Sequence, residues 1–350
     1  MDFTKSDTAE ALSEVATGVF GRDLDTDGQW SAFVDAGLVA AALPESLGGD
    51  GLGVADVCSL LREVGRAAAP SPALATLGLA VLPLRHWQGR ECDDAVHEIL
   101  GEIAAGSIVT GALGEPGRPL PDTPETTARE SGSGRVVVHG RVQAVPYGAE
   151  AARVLVPTDL GVAAVRTDDA ALTLTTVANA AGTPEAAIAL DGADGVLVAR
   201  GTQALAEYAQ LVTAAVASVA DGLVAGATDL TAAHIRDRQQ FGKPLATFQA
   251  VSQQIADAYV VARTLHLAAA SAAWRLGEGL DATDDLDVAA YWLAAEMPQT
   301  MRTLHHLHGG LGVDVTYPLH RYSSTAKDLA RLVGGADYRL DLLGERCSSN

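Results

Sequence analysis

The last 150 residues of this chain carry the pattern that most restricts its fold. Phe248, Val251, Ile255, Ala258, Ala262, Leu265, Ala269, Ala272 and Leu276 recur three and four apart over four heptads. Such spacing buries one seam of a long helix against another helix. Upstream, Leu205, Tyr208, Val212, Val216, Val219, Leu223, Ala227 and Leu230 follow the same rule and predict a helix of about ten turns, at roughly 3.6 residues each. Thr283, with Asp284, Asp285 and Asp287 behind it, predicts the capped start of a third helix. That helix runs to about His308 with a kink near Pro298, and its acidic cluster needs no calcium. Pro318 and the pair Gly334-Gly335 bracket a fourth. Four long helices make a bundle, and a chain with only 5% aromatic residues, rich in small apolar ones, suits close helix packing.

The rest divides in two. From Asp7 to about Gly106 the period stays helical, with a clear example over residues 54–65. From 107 to 200 it disappears: Val136-Val137-Val138, Arg153-Val154-Leu155-Val156, residues 172–177 and Val196-Leu197-Val198 stand between Gly, Pro and Asp clusters, as in an antiparallel β domain. The Pro-rich stretch 115–125 reads as a loop. The expected fold class is therefore α+β: a helical domain over 1–106, a central antiparallel β domain over 107–200, and a four-helix bundle over 201–350.

Charge removes whole classes of function. With 44 acidic against 24 basic side chains, the formal net charge is -20, so nucleic acid and anionic membranes are not expected partners. Prolines 70, 72 and 83 interrupt the uncharged stretch 67–84, which argues against a membrane span there. The scattered cysteines Cys58, Cys92 and Cys347 form no disulfide framework and no zinc pattern, consistent with a reducing cytoplasm. Asp2, Asp7 and Glu10 near the start make a targeting peptide unexpected, so the expected location is cytoplasmic.

Against that acidic background residues 236–245, Arg-Asp-Arg-Gln-Gln-Phe-Gly-Lys-Pro-Leu, are locally basic and lie between the two longest helices. A Gly-Pro turn with a guanidinium, a ring and amides suits a phosphate and a planar ring system. A helix hairpin with a charged surface fits these residues as well.

The segment with Phe248-Gln249 resembles the R-x-x-F-G-x-P-L…F-Q signature of the acyl-CoA dehydrogenase family. The likeness spans the chain. Trp30…Gly37…Leu43-Pro44-Glu45…Gly48-Gly49-Asp50-Gly51…Glu63-Val64-Gly65 is similar to the family's N-terminal pattern. Glu115-Pro116 resembles the pair that opens its β domain. His308-Gly309-Gly310-Leu311-Gly312…Tyr317-Pro318-Leu319 resembles its loop before the last long helix. The resemblance implies FAD as cofactor, an acyl-CoA thioester as substrate, α,β-dehydrogenation as the reaction and a dimer or dimer of dimers as the assembly. An electron-transfer flavoprotein is the acceptor the family leads one to expect. It also implies that Arg238 sits on a neighbour's FAD pyrophosphate, that Phe241 packs on the cofactor and that Gln249 bonds nearby. Gly309 and Gly310 would allow close backbone approach. His306 stands where the family commonly has Gln.

The catalytic half departs from the family. The Glu of its E-G-T triplet is replaced in Val333-Gly334-Gly335, and the alternative helix position for that Glu falls close to Val212. Thr-Glu-Pro reads Gly114-Glu115-Pro116, and the following Gly-Ser-Asp is missing. The stretch that lies against the flavin ring reads Ala144-Val145-Pro146-Tyr147. Glu207, Asp221 and Asp337 are candidate replacements for the base, each more simply read as a helix-surface or cap carboxylate. His305, His306 and His308 suit a flavin-facing helix end better than a metal site. His320 and Arg321 either begin a solvated helix or line a CoA-facing surface. No catalytic residue and no metal is assigned to this chain. The leading expectation is the incomplete subunit of a heteromer, resembling the short subunits of actinobacterial α2β2 acyl-CoA dehydrogenases that act on steroid or other bulky acyl-CoA thioesters. A self-sufficient homo-oligomer with a displaced carboxylate base, and a non-catalytic scaffold without FAD, are the alternatives.

Overall fold

The computed structural model describes residues 7–22, 24–132 and 134–349. Six helices come first: α1 (Asp7–Phe20), α2 (Thr26–Asp35), α3 (Leu38–Ala42), α4 (Val54–Arg66), α5 (Leu82–His86, entered through a π-helical stretch Leu74–Val81) and α6 (Asp93–Ala104). Nine strands follow: β1 (Val109–Gly111), β2 (Gly114–Glu115), β3 (Arg118–Pro119), β4 (Thr127–Gly132), β5 (Arg135–Pro146), β6 (Arg153–Thr158), β7 (Gly161–Arg166), β8 (Leu172–Thr176) and β9 (Glu185–Arg200). They form one sheet in the order β1-β6-β7-β9-β5-β2-β3, with β4 on β5 and β8 on β9. The sheet is mixed rather than wholly antiparallel, because β1 runs parallel to β6 at one edge. Parallel neighbours need a long connection, and β1 reaches β6 only after the chain has passed through β5.

The long helices α7 (Gly201–Asp237), α8 (Gln249–Gly277), α9 (Thr283–His308) and α10 (Leu319–Leu332) lie close to their sequence positions. A fifth, α11 (Gly335–Ser349), was not foreseen. Gly334 and Gly335, read as a terminus, both take positive φ (96° and 82°) and redirect the chain into it. Asp287 is no cap either: it is buried and pairs with Arg346 of α11, while Asp285 pairs with Arg275 at 2.7 Å.

One apolar core unites α1–α6 with the bundle, and a second fills the sheet around Val136, Val154, Val165 and Ile188. Helix α7 is buried nearly all round over its middle. Among the described residues it is the one helix long and apolar enough to cross a membrane, yet 94% of its most apolar window is buried within the protein. Helix α8 differs. Its seam is buried from Ala258 onward, but Phe248, Val251 and Ile255 are only half-covered, and Tyr259, Val260 and Leu267 are exposed.

The crossing of α4 with α7 depends on missing side chains. A Cβ on Gly65 would stand 1.9 Å from the Val219 carbonyl oxygen, and one on Gly222 would stand 1.8 Å from that of Arg62. Both obstacles are backbone, which cannot rotate away. Gly222→Ala is expected to destabilise the fold by about 1–3 kcal/mol, measured by urea unfolding.

Candidate cofactor-binding corner and the closed side

Helix α7 ends at an exposed corner. The Arg238 amide still donates to the His234 carbonyl at 2.8 Å, while its own backbone turns extended and its carbonyl accepts from Leu245 N at 2.9 Å. Strands β10 (Gln239–Gln240) and β11 (Lys243–Pro244) pair across Phe241 and Gly242, both at positive φ (52° and 77°). Two successive positive φ values define the tight hairpin turn that matches strand twist. Glycine adopts this freely; phenylalanine pays about 1–2 kcal/mol for it. The ring so presented is 91% exposed, with Phe248 edge-on at 6.1 Å and Lys243 Nζ 4.3 Å from the Phe248 ring centre. Arg238 is exposed, and among the described residues it makes no salt bridge. Gln249 is the first residue of α8 and is exposed.

A second loop is held at the same end of the bundle. Helix α9 stops at His308, and Gly309 takes φ 59° with ψ -137°, a conformation open essentially to glycine alone. His308 is buried and stacks on His234 with ring centres 4.4 Å apart and planes at 18°. Its Nδ1 lies 2.9 Å from the Leu304 carbonyl and its Nε2 3.1 Å from the Tyr317 hydroxyl. These contacts suit a neutral ring in which Nδ1–H donates to the carbonyl and Nε2 accepts from the hydroxyl. The stack joins the last turn of α7 to the last turn of α9, so Arg238 and Phe241 share one end with Gly309 and Gly310. His306 is exposed on the last turn of α9. Sequence reasoning missed His234 and Tyr317 in this arrangement; a histidine one turn before Arg238 was the available signal.

Burial holds His234 and His308 below the ordinary imidazole range, and Arg238 adds to this at His234. Unfolded imidazoles titrate near pH 6.5, so on acidification the unfolded chain binds these protons first. Stability from the stack is complete above about pH 6.5 and falls as pH drops below it. Thermal melts from pH 7 to pH 5 are expected to show that fall, and a smaller one in His308→Gln.

The side expected to hold the base is closed. Val333 and Val212 are fully buried in the core. Glu207 accepts from Trp87 Nε1 at 2.9 Å and from Arg90 Nη1 at 2.8 Å. Burial raises its pKa, but those two bonds outweigh it and keep the carboxyl below its usual range. Asp221, 3% exposed, accepts from Arg62 Nε at 2.7 Å and lies 2.8 Å from His266 Nδ1. Asp337 is exposed in the first turn of α11. Each carboxylate has structural work or faces solvent. Glu115 is likewise engaged, accepting from the backbone N–H groups of Glu125 and Thr126. His305 and His308 contact helix carbonyls, and no His, Cys, Asp and Glu cluster among the described residues could hold a metal. His320 Nδ1 lies 2.8 Å from the Tyr317 carbonyl, at the start of α10.

A profile of the acyl-CoA dehydrogenase C-terminal domain matches residues 200–347. Acyl-CoA dehydrogenase FadE28 of Mycobacterium tuberculosis is 45% identical over 99% of this chain and 99% of its own. The chain belongs to the acyl-CoA dehydrogenase family. Among solved structures, a chain of the ChsE4–ChsE5 complex from Mycobacterium tuberculosis is 30% identical, with a TM-score of 0.89 over the whole of both chains. A chain of a Tcur3481–Tcur3483 steroid ACAD variant is 30% identical, with a TM-score of 0.88 over 97% of this chain and 98% of the other.

FAD is the cofactor of acyl-CoA dehydrogenases, and the resemblance in sequence implies that its ring system would lie beside the stretch Ala144-Val145-Pro146-Tyr147. Beside Pro146 and Tyr147 lies a cavity of about 90 Å³, walled also by Val64, Val219 and Leu332. Cofactor pockets are usually about 300–1,000 Å³. The cavity is locked from the side as well: Asp328 accepts from the Ala180 and Ala181 amides at 3.0 and 2.7 Å, and Arg331 pairs with Glu185 at 2.6 Å. These residues do not fit a flavin ring bound by this chain on its own.

Proposed function

We propose that this acyl-CoA dehydrogenase chain is the subunit that completes a partner's FAD site in a heteromer. The observation that carries the reading is the pairing of an outward-facing corner with a closed interior. Phe241 is held 91% exposed at a costly φ, beside a guanidinium that makes no salt bridge among the described residues, while the cavity beside Pro146 and Tyr147 is only about 90 Å³. Strain held at an exposed residue points to a function for it, and in this reading that function is met at the partner's cofactor.

In this reading Arg238 would reach across the interface to the pyrophosphate, which a guanidinium can pair bidentately. Phe241 packs on the cofactor, Gln249 and His306 donate hydrogen bonds beside it, and Gly309 and Gly310 let the backbone approach. FAD supplies the hydride acceptor. The partner supplies the carboxylate that removes the α-proton, since Glu207 and Asp221 are already paired and Asp337 faces solvent. The exposed face of α8 around Tyr259, Val260 and Leu267 gives the partner an apolar surface to cover.

The substrate class in this proposal is a steroid or similarly bulky acyl-CoA thioester, with an electron-transfer flavoprotein as acceptor and the cytoplasm as location. The two-component steroid ACAD supports the substrate class, and it and the two-component ChsE4–ChsE5 complex support the heteromer. Purified alone, the chain is expected to be colourless or insoluble; co-expressed with its partner, it is expected to be recovered in a yellow complex. A yellow, active enzyme from this chain alone would overturn the proposal.

A further inference from the structure

The Arg238 hairpin and the Gly309-Gly310 loop leave different helices, α7 and α9, and the contact between the two helix ends passes through His308. Its ring is 5% exposed and is held from three sides. Nδ1 lies 2.9 Å from the Leu304 carbonyl, one turn back on α9, and Nε2 lies 3.1 Å from the Tyr317 hydroxyl. One face stacks on His234 of α7. The second side-chain torsion of a histidine is soft, so the two bonds at opposite edges of the ring set the plane against which His234 lies. With both nitrogens engaged, this ring has none free for a cofactor or a travelling proton, and its work is placement.

On the α7 side the stacked residue is the one from which Arg238 departs. The last helical hydrogen bond of α7 runs from Arg238 N to the His234 carbonyl at 2.8 Å. Beyond it the hairpin is held by bonds of its own: Leu245 N donates to the Arg238 carbonyl at 2.9 Å, and Thr247 Oγ1 to the Pro244 carbonyl at 2.7 Å. The loop after α9 is likewise self-contained. Asp314 N donates to the Leu311 carbonyl at 3.1 Å, and Asp314 Oδ1 accepts from Thr316 N at 2.9 Å. Two pieces, each complete in shape, are thus related to one another by the stack at their roots.

We propose that His308, its ring plane set by Tyr317, is a positioning residue that holds Arg238 at the angle from which it meets the partner's FAD. The inference rests on the reading that Arg238 binds that cofactor, and it adds residues that touch no cofactor themselves. Leverage makes the position matter. A guanidinium stands at the end of a long side chain, so a small change of angle in the last turn of α7 is magnified at its tip. Bidentate pairing tolerates little of that displacement, because hydrogen bonds weaken steeply once they are bent.

The test is a double-mutant cycle read as FAD affinity, with the co-expressed complex stripped of flavin and titrated with FAD. Tyr317→Phe removes one hydroxyl and keeps the ring; it is expected to weaken FAD by roughly 2- to 10-fold, the net worth of one hydrogen bond. In an Arg238→Ala background the same change is expected to cost nothing further, because no guanidinium is left to place. Such non-additivity marks residues that act through one another. His308→Leu is expected to lose at least as much as Tyr317→Phe, and His308→Gln, which keeps an acceptor for the hydroxyl, to recover part of it. If the His308 variants fail to fold, Tyr317→Phe decides, since Tyr317 is only half-buried. Wild-type affinity in Tyr317→Phe, or the same loss in both backgrounds, would overturn the proposal. Arg238→Ala with undiminished affinity would overturn the cofactor reading along with it, whereas a loss in Arg238→Ala beside none in Tyr317→Phe would overturn this inference alone.

Discussion

Replacing Arg238 with alanine is expected to strip flavin from the assembled enzyme while leaving this chain's fold intact. The two halves of that expectation rest on different observations. Arg238 is exposed and makes no salt bridge among the described residues, and surface changes of that kind usually alter stability by less than about 0.5 kcal/mol. A charge-assisted contact to a pyrophosphate is worth about 1.5–3 kcal/mol, which is roughly a 10- to 100-fold loss of FAD affinity. Arg238→Lys should recover part of the loss, because an ammonium keeps the charge but not the bidentate fork. Phe241→Ala should weaken FAD as well, without relieving the strain at φ 52°, because alanine keeps the Cβ; only Phe241→Gly would relieve it. The measurement is FAD retained per complex after gel filtration, with thermal melts of the same samples. Full flavin retention in Arg238→Ala would mean that this corner does not hold the cofactor.

The second large effect concerns Asp221. Arg62 of α4 and His266 of α8 converge on the buried carboxylate of Asp221 of α7, a cluster that pins three helices together. Removing the carboxylate takes from the Arg62 guanidinium, 19% exposed, its nearer counterion and leaves only Glu63, at 3.6 Å. Breaking one partner of such a pair costs about 3–5 kcal/mol, so Asp221→Ala should lose much of the stability of an ordinary domain. Urea unfolding measures it. The same substitution bears on the displaced-base alternative. A catalytic Asp221 would give an Asp221→Asn protein of normal stability and no turnover, whereas a structural one gives a destabilised protein whose remaining folded fraction turns over normally.

Much of the architecture was legible because it is local. The heptad seams of α7 and α8 and the short strands around Val136, Val154 and Val196 depend on residues near each other in sequence; the turn expected at Gly242–Pro244 falls one step earlier, at Phe241-Gly242, with Pro244 in the strand. What was not legible depends on partners brought from far away. Gly65 and Gly222 look like weak points in apolar helices until the two backbones are seen in contact. Asp287 looks like a cap until Arg346 arrives from α11, a helix hidden behind two glycines that resemble a terminus. The stack of His234 on His308 has no sequence period at all, yet it sets the hairpin beside the Gly309 and Gly310 loop. The closed ring site was foreseeable only as missing motifs at Val333 and Ala144-Val145-Pro146-Tyr147. Asp328, which lines the cavity, and Arg331, which pairs with its neighbour Glu185, are marked by no motif.

The central claim is that this chain holds half of a flavin site and completes it in a partner. It is tested most directly by counting FAD against both polypeptides in the purified co-expressed complex, by flavin absorbance after denaturation and native mass. The account predicts one FAD for each pair of unlike chains. One FAD on every chain, or a flavin-loaded assembly of this chain alone, would contradict it.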